Sequence, residues 1–295
     1  MEPKYKNLVL SGGSIKGVSH IGAIAKLIDE KLLDLKKLES IAGVSAGALL
    51  GLLLVLGFDI KQIWNFIKCL DFKKLINPQF SLFFTQCGIE NGKIIYNLFD
   101  EILTKKTNTK DITFSQLFQI SKIHFTIVGA NLTDKETVYY NHINSPTFRV
   151  LDAIRISISV PGFFVPVTIG NKKYIDGCVL NNYPMNLFED KLDETIGILI
   201  CSEYNTKYTY PEEYFVSIMN LFMYYYYKDS EGEKYMKNTI YINTPKDIFS
   251  FNFDINNKIK NRLYRSGLDA SCEFIQKLRQ SKEIPAKIEP EKLIE

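Results

Sequence analysis

Histidine is scarce in this 295-residue chain, occurring only 3 times, as His20, His124 and His142. A nucleophile that needs an imidazole base must find it among these. The 5 cysteines (Cys69, Cys87, Cys178, Cys201 and Cys272) fall nowhere into CxxC spacing. That argues against a disulfide framework or a zinc site and suggests a reducing compartment. A dominant charge is missing too: 36 Lys+Arg against 33 Asp+Glu leave +3, which makes no case for nucleic acid as a partner. The phosphate-binding pattern GxxxxGK[ST] is absent, and no Asp/Asn cluster has calcium-loop spacing, so neither a cofactor nor a metal is expected. No repeat or long low-complexity linker divides the sequence. The first residues run straight into a strand-like segment without an apolar leader, so no signal peptide is expected.

What remains is an ordinary globular composition, 46% hydrophobic and 23% charged, long enough to bury one large core. A single domain over 1–285 with a frayed tail at 286–295 is expected. Strand patterns fall at 7–10, 39–42, 122–130, 137–141, 164–169, 172–175, 195–201 and 239–242. Helical periodicity falls at 17–33, 45–56, 60–69, 92–103, 114–120, 149–157, 211–228 and 256–279. This alternation predicts an α/β fold with a mostly parallel central sheet flanked by helices. One run, 41–58, is almost continuously apolar and near the length of a membrane span. Glycines interrupt its first part, leaving about three turns of helix, so a central core helix is expected and no transmembrane helix. The irregular stretch 71–88, with its cluster Phe80-Ser81-Leu82-Phe83-Phe84, reads as a loop or short helices that act as a lid, a membrane contact or core.

Gly43-Val44-Ser45-Ala46-Gly47 joins the strand at 39–42 to that apolar helix. A serine with glycine two positions either side, at a strand-to-helix turn, has the pattern of a nucleophile elbow. The turn lifts the hydroxyl clear of the sheet, and the helix that follows directs its N-terminal amides at the charge that forms on attack. A second turn, Gly12-Gly13-Ser14-Ile15-Lys16-Gly17, follows the strand at 7–10. Successive amides there form an anion-binding nest. The dinucleotide pattern GxGxxG fails in it at Ser14. Two candidates present themselves for the base. His20 lies one helical turn beyond Gly17, and Asp176, in Tyr174-Ile175-Asp176-Gly177-Cys178, stands where a strand ends. An Asp-Gly pair is also a common plain β-turn.

In this order the three motifs resemble the patatin-like phospholipase family, whose pattern is GGGx[KR]G, GxSxG and DG[GA]. The flanks fit as well, Leu8-Val9-Leu10-Ser11 before the first turn and Val179-Leu180-Asn181-Asn182-Tyr183-Pro184 after the aspartate, so the resemblance covers residues 6–184. It implies a lipid acyl hydrolase, calcium-independent, with Ser45 as nucleophile and Asp176 as its base. Amides of Gly12, Gly13 and Ser14 would stabilise the oxyanion, and Lys16 would hold that turn or an anionic headgroup. Gly17, Gly43, Gly47 and Gly177 complete the motifs. Two positions depart from the pattern. Ser14 replaces the third glycine, which suits the turn if its φ is negative and strains it if positive. Cys178 follows Asp176-Gly177, and cysteine is small enough to be tolerated there.

The substrate so implied is a membrane phospholipid or another lipid ester, which requires transient contact with a membrane surface. A cytoplasmic or peripheral membrane location is expected, and the sequence identifies no activating protein. The aromatic stretch 214–227 suits an interface, or simply a helix packed on the sheet. Two other readings stay open: a serine acyltransferase using His20, and a non-catalytic lipid-binding protein of the same fold.

Overall fold

The computed structural model describes residues 2–201, 217, 221, 234–281 and 284. The expected helix at 211–228, the aromatic stretch within it and the tail at 286–295 lie outside the described residues, apart from Ser217 and Leu221. Four parallel pairings build the centre of the main sheet. Strands β1 (Asn7–Leu10), β2 (Ser40–Gly43) and β4 (His124–Asn131) run side by side. On the other flank of β1 lie β9 (Thr195–Cys201) and β10 (Thr239–Asn243). The antiparallel part comes at the far edge, where β8 (Lys172–Asp176) pairs with β4, β7 (Val167–Ile169) with β8, and β5 (Glu136–Tyr140) also with β4. The result is the expected α/β architecture, a mostly parallel sheet flanked by helices.

Period-2 alternation sorts side chains to the two faces of the sheet. Leu8, Leu10 and Ile41 enter the main core, beneath helices α1 (Val18–Asp29) and α2 (Ala46–Val55) and the C-terminal helix Asn257–Gln280. Val9 and Ala42 point the other way, into a smaller cluster with Tyr183, Met185 and Phe188 from the 3-10 stretch Met185–Glu194. Helix α2 is apolar on every side because it lies almost wholly in the interior, touching β1, β2, β4 and the later helix α7 (Val150–Ser157). Among the described residues no helix is long and apolar enough to cross a membrane.

Capping residues set several ends. Asp59 and Gln62 form a reciprocal capping box that starts α3 (Ile60–Cys69), and Thr113 with Gln116 does the same for α6 (Phe114–Ser121). The strand expected at 164–169 is two strands. The break falls at Pro166, which has no N–H for a ladder. Before it, β6 (Gly162–Phe164) joins β3 (Gly88–Glu90) in a separate two-stranded sheet, and after it β7 returns to the main one. Within the irregular stretch 71–88, residues 80–86 form a short helix, α4 (Phe80–Gln86), and α5 (Lys93–Thr107) follows β3.

Candidate active site

Strand register brings Ser45 and Asp176 to one level. Gly43 at the end of β2 is paired with Ile127 of β4, so Ser45, two residues on, comes level with Gly129. Gly129 is the residue against which Asp176 is registered from the other side of β4. The nucleophile candidate and the carboxylate therefore face each other across one strand.

Ser45 holds an unusual backbone conformation, φ 54° and ψ −120°, at the first cap of α2. A non-glycine residue held there costs on the order of 1–3 kcal/mol, and such strain persists only where the surroundings impose it. They do so by close approach on both sides. A Cβ on Gly43 would lie 2.6 Å from the Gly47 carbonyl oxygen, and one on Gly47 would lie 2.3 Å from the Leu10 carbonyl oxygen. Glycine alone lets α2 begin directly against β1.

The elbow is also fixed by a residue that the sequence reading did not single out. The fully buried Ser157 accepts the Ser45 N–H on Oγ at 2.9 Å and donates that hydroxyl to the Val128 carbonyl at 2.6 Å. Two residues later the Ser159 carbonyl accepts the Asp176 N–H at 2.9 Å. The end of α7 thus holds both reacting candidates. Ser157→Ala would leave a buried donor and a buried acceptor unmade. We expect it to cost about 1–3 kcal/mol of stability and to lower kcat by about tenfold or more with little change in KM, as thermal unfolding and steady-state kinetics would show.

Asp176 is fully buried, and burial pushes its carboxyl up to about 7. Three donors work against that shift by favouring the charged form, the Cys178 N–H to Oδ1 at 2.8 Å, the Ser45 hydroxyl and the Cys178 thiol. Burial still dominates. The second oxygen, Oδ2, is buried without a well-formed hydrogen bond, so the Ser45 hydroxyl favours the carboxylate while stopping short of a tight contact. The Cys178 thiol is raised well above its ordinary value by the same burial and by the neighbouring Asp176 charge, which leaves no thiolate there to compete as nucleophile.

The glycine turn departs from expectation at two residues. Gly12 is not a free donor: its N–H goes to Asn182 Oδ1 at 3.1 Å. What Gly12 supplies is proximity, since a Cβ there would lie 3.3 Å from the Ser45 Cβ. Among the described residues the amides of Gly13 and Ser14 have no acceptor. Ser14 adopts φ 49°, the strained alternative for a serine in this position. Lys16 closes the turn through its own N–H to the Gly13 carbonyl at 3.0 Å, and Gly17 lies against Ala46 of the elbow. The Lys16 side chain is buried, which lowers its pKa, and makes no ion pair among the described residues. Ala46 is the first of the helix N-terminal amides that the sequence directs at the developing charge: as first residue of α2 its N–H has no intrahelical acceptor.

His20 is turned away from this chemistry. Its Nε2 lies 2.9 Å from the Ser11 carbonyl, an acceptor only, so Nε2 carries the proton and Nδ1 is left buried without a partner. Burial lowers its pKa to about 4, and it makes no hydrogen bond to Ser45. His142 stacks on Phe118 and meets His124 edge-on, an aromatic packing role.

An apolar cavity of about 130 Å³ opens onto Ser45, Ser14 and Ala46. Its wall follows α2 through Leu49, Leu50 and Leu53, with α3 opposite through Ile63 and Ile67. Both sets have the spacing of one helix face. No polar side chain lines it beyond the serines at its mouth.

Comparison with known proteins bears on the family and the fold. A family model described as patatin-like phospholipase matches residues 8–188. Protein R571 of Acanthamoeba polyphaga mimivirus is 30% identical over 94% of this chain and 96% of its own length. The probable lipid hydrolase 463L of Invertebrate iridescent virus 6 is 26% identical, over 63% of this chain and 64% of its own. Among solved structures, VipD from Legionella pneumophila superposes with a TM-score of 0.64 at 20% identity, covering 93% of this chain and 67% of VipD. ExoU, in its complex with SpcU from Pseudomonas aeruginosa, gives 0.56 at 19% identity, covering 95% of this chain and about half of ExoU (53%). At those identities the two structures speak for the fold, while the family match spans both glycine turns and the Asp-Gly strand end: this chain belongs to the patatin-like phospholipase family.

Proposed function

We propose that the protein is a lipid acyl hydrolase in which Ser45 attacks the ester carbonyl of a phospholipid and Asp176 serves as its base. The observation that carries this reading is the place of Ser45, on a strained elbow where an apolar cavity meets unengaged backbone amides. The cavity suits an acyl chain, whose transfer from water is favourable along its whole length. As Ser45 Oγ bonds to the acyl carbon, its proton passes to Asp176, and the amides of Gly13, Ser14 and Ala46 meet the oxyanion. Each such donor contributes about 3 kcal/mol to the transition state. Collapse expels the lipid alcohol, which takes the proton back from Asp176. Water then adds to the acyl-enzyme, giving its proton to the same carboxylate, and the fatty acid leaves as Ser45 is restored.

Every charge in this scheme is met by the chain's own groups, so the reaction is drawn as calcium-independent. His20 lends no support to the acyltransferase reading, because Nδ1, its only nitrogen free to accept a proton, is buried without a hydrogen-bond partner and makes no bond to Ser45. The test is fatty-acid release from mixed phospholipid vesicles in the presence of a calcium chelator, together with labelling by a fluorophosphonate. Wild type is expected to release fatty acid and to take up the label, and Ser45→Ala to do neither. Label on a different residue, or release undiminished in Ser45→Ala, would overturn the assignment.

A further inference from the structure

We propose that the face of α4 formed by Phe80, Phe83 and Phe84 is a docking element that enters the surface of a lipid bilayer beside the Ser45 cavity. The proposal rests on the lipid-hydrolase reading for its purpose, though not for its test. The three rings are spaced i, i+3 and i+4, so they share one helix face. They are 77%, 49% and 87% exposed, where phenylalanine is ordinarily interior. The rings of Phe83 and Phe84 meet edge to face at 5.8 Å, so part of what covers each is the other.

This exposure is held up by a built support. The excursion carrying α4 is pinched at its neck, where the buried carboxylate of Glu90 accepts the N–H of Asn77 and, at 2.9 Å, the N–H of Gly92. The Gln79 N–H adds a bond of 2.6 Å to the Ile89 carbonyl, and β3 then pairs with β6. A surface loop with joined ends and its own helix is an ordered projection. The neck abuts the cavity wall: Phe72 and Leu75, just before it, line the cavity, and so does Phe164 of β6, the strand partner of Glu90. A lipid engaged by α4 is therefore already next to the place where its acyl chain would be held.

The size of the patch favours a bilayer over a second copy of the chain. At about 200 Å² per phenylalanine ring system, the three exposures leave about 430 Å² bare, near half of the ~800 Å² per partner of a stable protein interface. The nearby charges do not call for an anionic surface, because Lys73 pairs with Asp254 at 3.1 Å and Lys74 with Asp71 at 3.7 Å. Insertion of apolar side chains a few ångströms into the headgroup boundary is the mode left.

The experiment uses the full chain carrying Ser45→Ala, so that binding is read without turnover, and phosphatidylcholine vesicles in a co-sedimentation assay. The combined change Phe80→Ser, Phe83→Ser and Phe84→Ser is expected to weaken vesicle binding by about tenfold or more. In the Ser45 background the same change is expected to lower phospholipid hydrolysis correspondingly, and to leave hydrolysis of a soluble short-chain ester within about twofold, which also reports that the variant is folded. Vesicle binding that is absent in the parent, or unaltered by the substitutions, overturns the proposal. So does binding that needs phosphatidylserine and ignores the phenylalanines. A parent that sediments as a dimer and a variant that sediments as a monomer would assign the face to a second copy instead. If binding depends on the phenylalanines while the soluble ester is not cleaved, docking stands and the Ser45 reading fails.

Discussion

Asp176→Asn is expected to lower acyl turnover by about a thousandfold or more while leaving the chain folded. Asparagine keeps the shape of the carboxyl and can still accept the Cys178 N–H on Oδ1, but it cannot take a proton from Ser45. Below about 7 the wild-type carboxyl is protonated and unable to act as a base, so kcat/KM should rise with pH through that value and level off above it. The remaining activity of the variant should lack this rise. Stability moves in the opposite sense. The folded-state pKa lies above the unfolded value of 3.8, so between the two the folded chain holds a proton that the unfolded chain has released. The stability contributed by this group is complete below the unfolded pKa and is lost as pH rises through the folded one. The loss accrues between the two values and amounts to on the order of 4 kcal/mol once pH exceeds 7. Asp176→Asn, with no charge to bury, should therefore unfold at a higher temperature than wild type near pH 8 (about that value) and show no such advantage near pH 4. A variant that is inactive and no more stable at the higher pH would mean that burial of the charge is not what sets this carboxyl.

The second large effect is expected from a single methyl group. Gly47→Ala places a Cβ 2.3 Å from the Leu10 carbonyl oxygen and 2.7 Å from that of Ser11, both backbone atoms of the central strand region. Neither can swing aside as a side chain would, so α2 must lift from β1, and the core beneath it opens. A loss of more than about 4 kcal/mol is expected, seen as a fall of about 10 °C or more in Tm or as failure to recover soluble protein. Gly57→Ala is the informative contrast. Gly57 has open space around it and only a positive φ, 77°, to lose, which costs about 1 kcal/mol. Equal effects at the two positions would show that close packing at the elbow is not what Gly47 provides.

Much of the fold was legible in the sequence wherever one pattern had no competitor. Alternating or continuous apolar runs located β1, β2, β4, β9 and β10, and the glycines bracketing Ser45 marked the elbow. The misses have physical reasons. Gly88–Glu90 is too short to show a period and becomes a strand only because Gly162–Phe164 lies beside it. Ser157 looks like any small residue ending an apolar helix, and nothing in its neighbours tells that its hydroxyl meets an amide 112 residues earlier. Gly12 reads as a donor until Asn182, distant in sequence, is found to occupy it. The exposure of Phe80 and Phe84 was likewise undecidable from a cluster that suits a core equally well. Spacing along the chain singled out the candidate groups, whereas the level at which Ser45 and Asp176 meet depends on strand register, which local sequence does not carry.

The hydroxyl of Ser157 also bears on when the proposed site is completed during synthesis. A nascent chain that has emerged as far as β5 already contains Ser45 and both glycine turns, yet it lacks the hydrogen bond that fixes the Ser45 amide and the carboxylate level with it. The ribosome must deliver the end of α7 and then β8 before either is supplied. Vectorial translation thereby imposes an order: with Asp176 as the base proposed above, a chain truncated before β8 carries Ser45 without it.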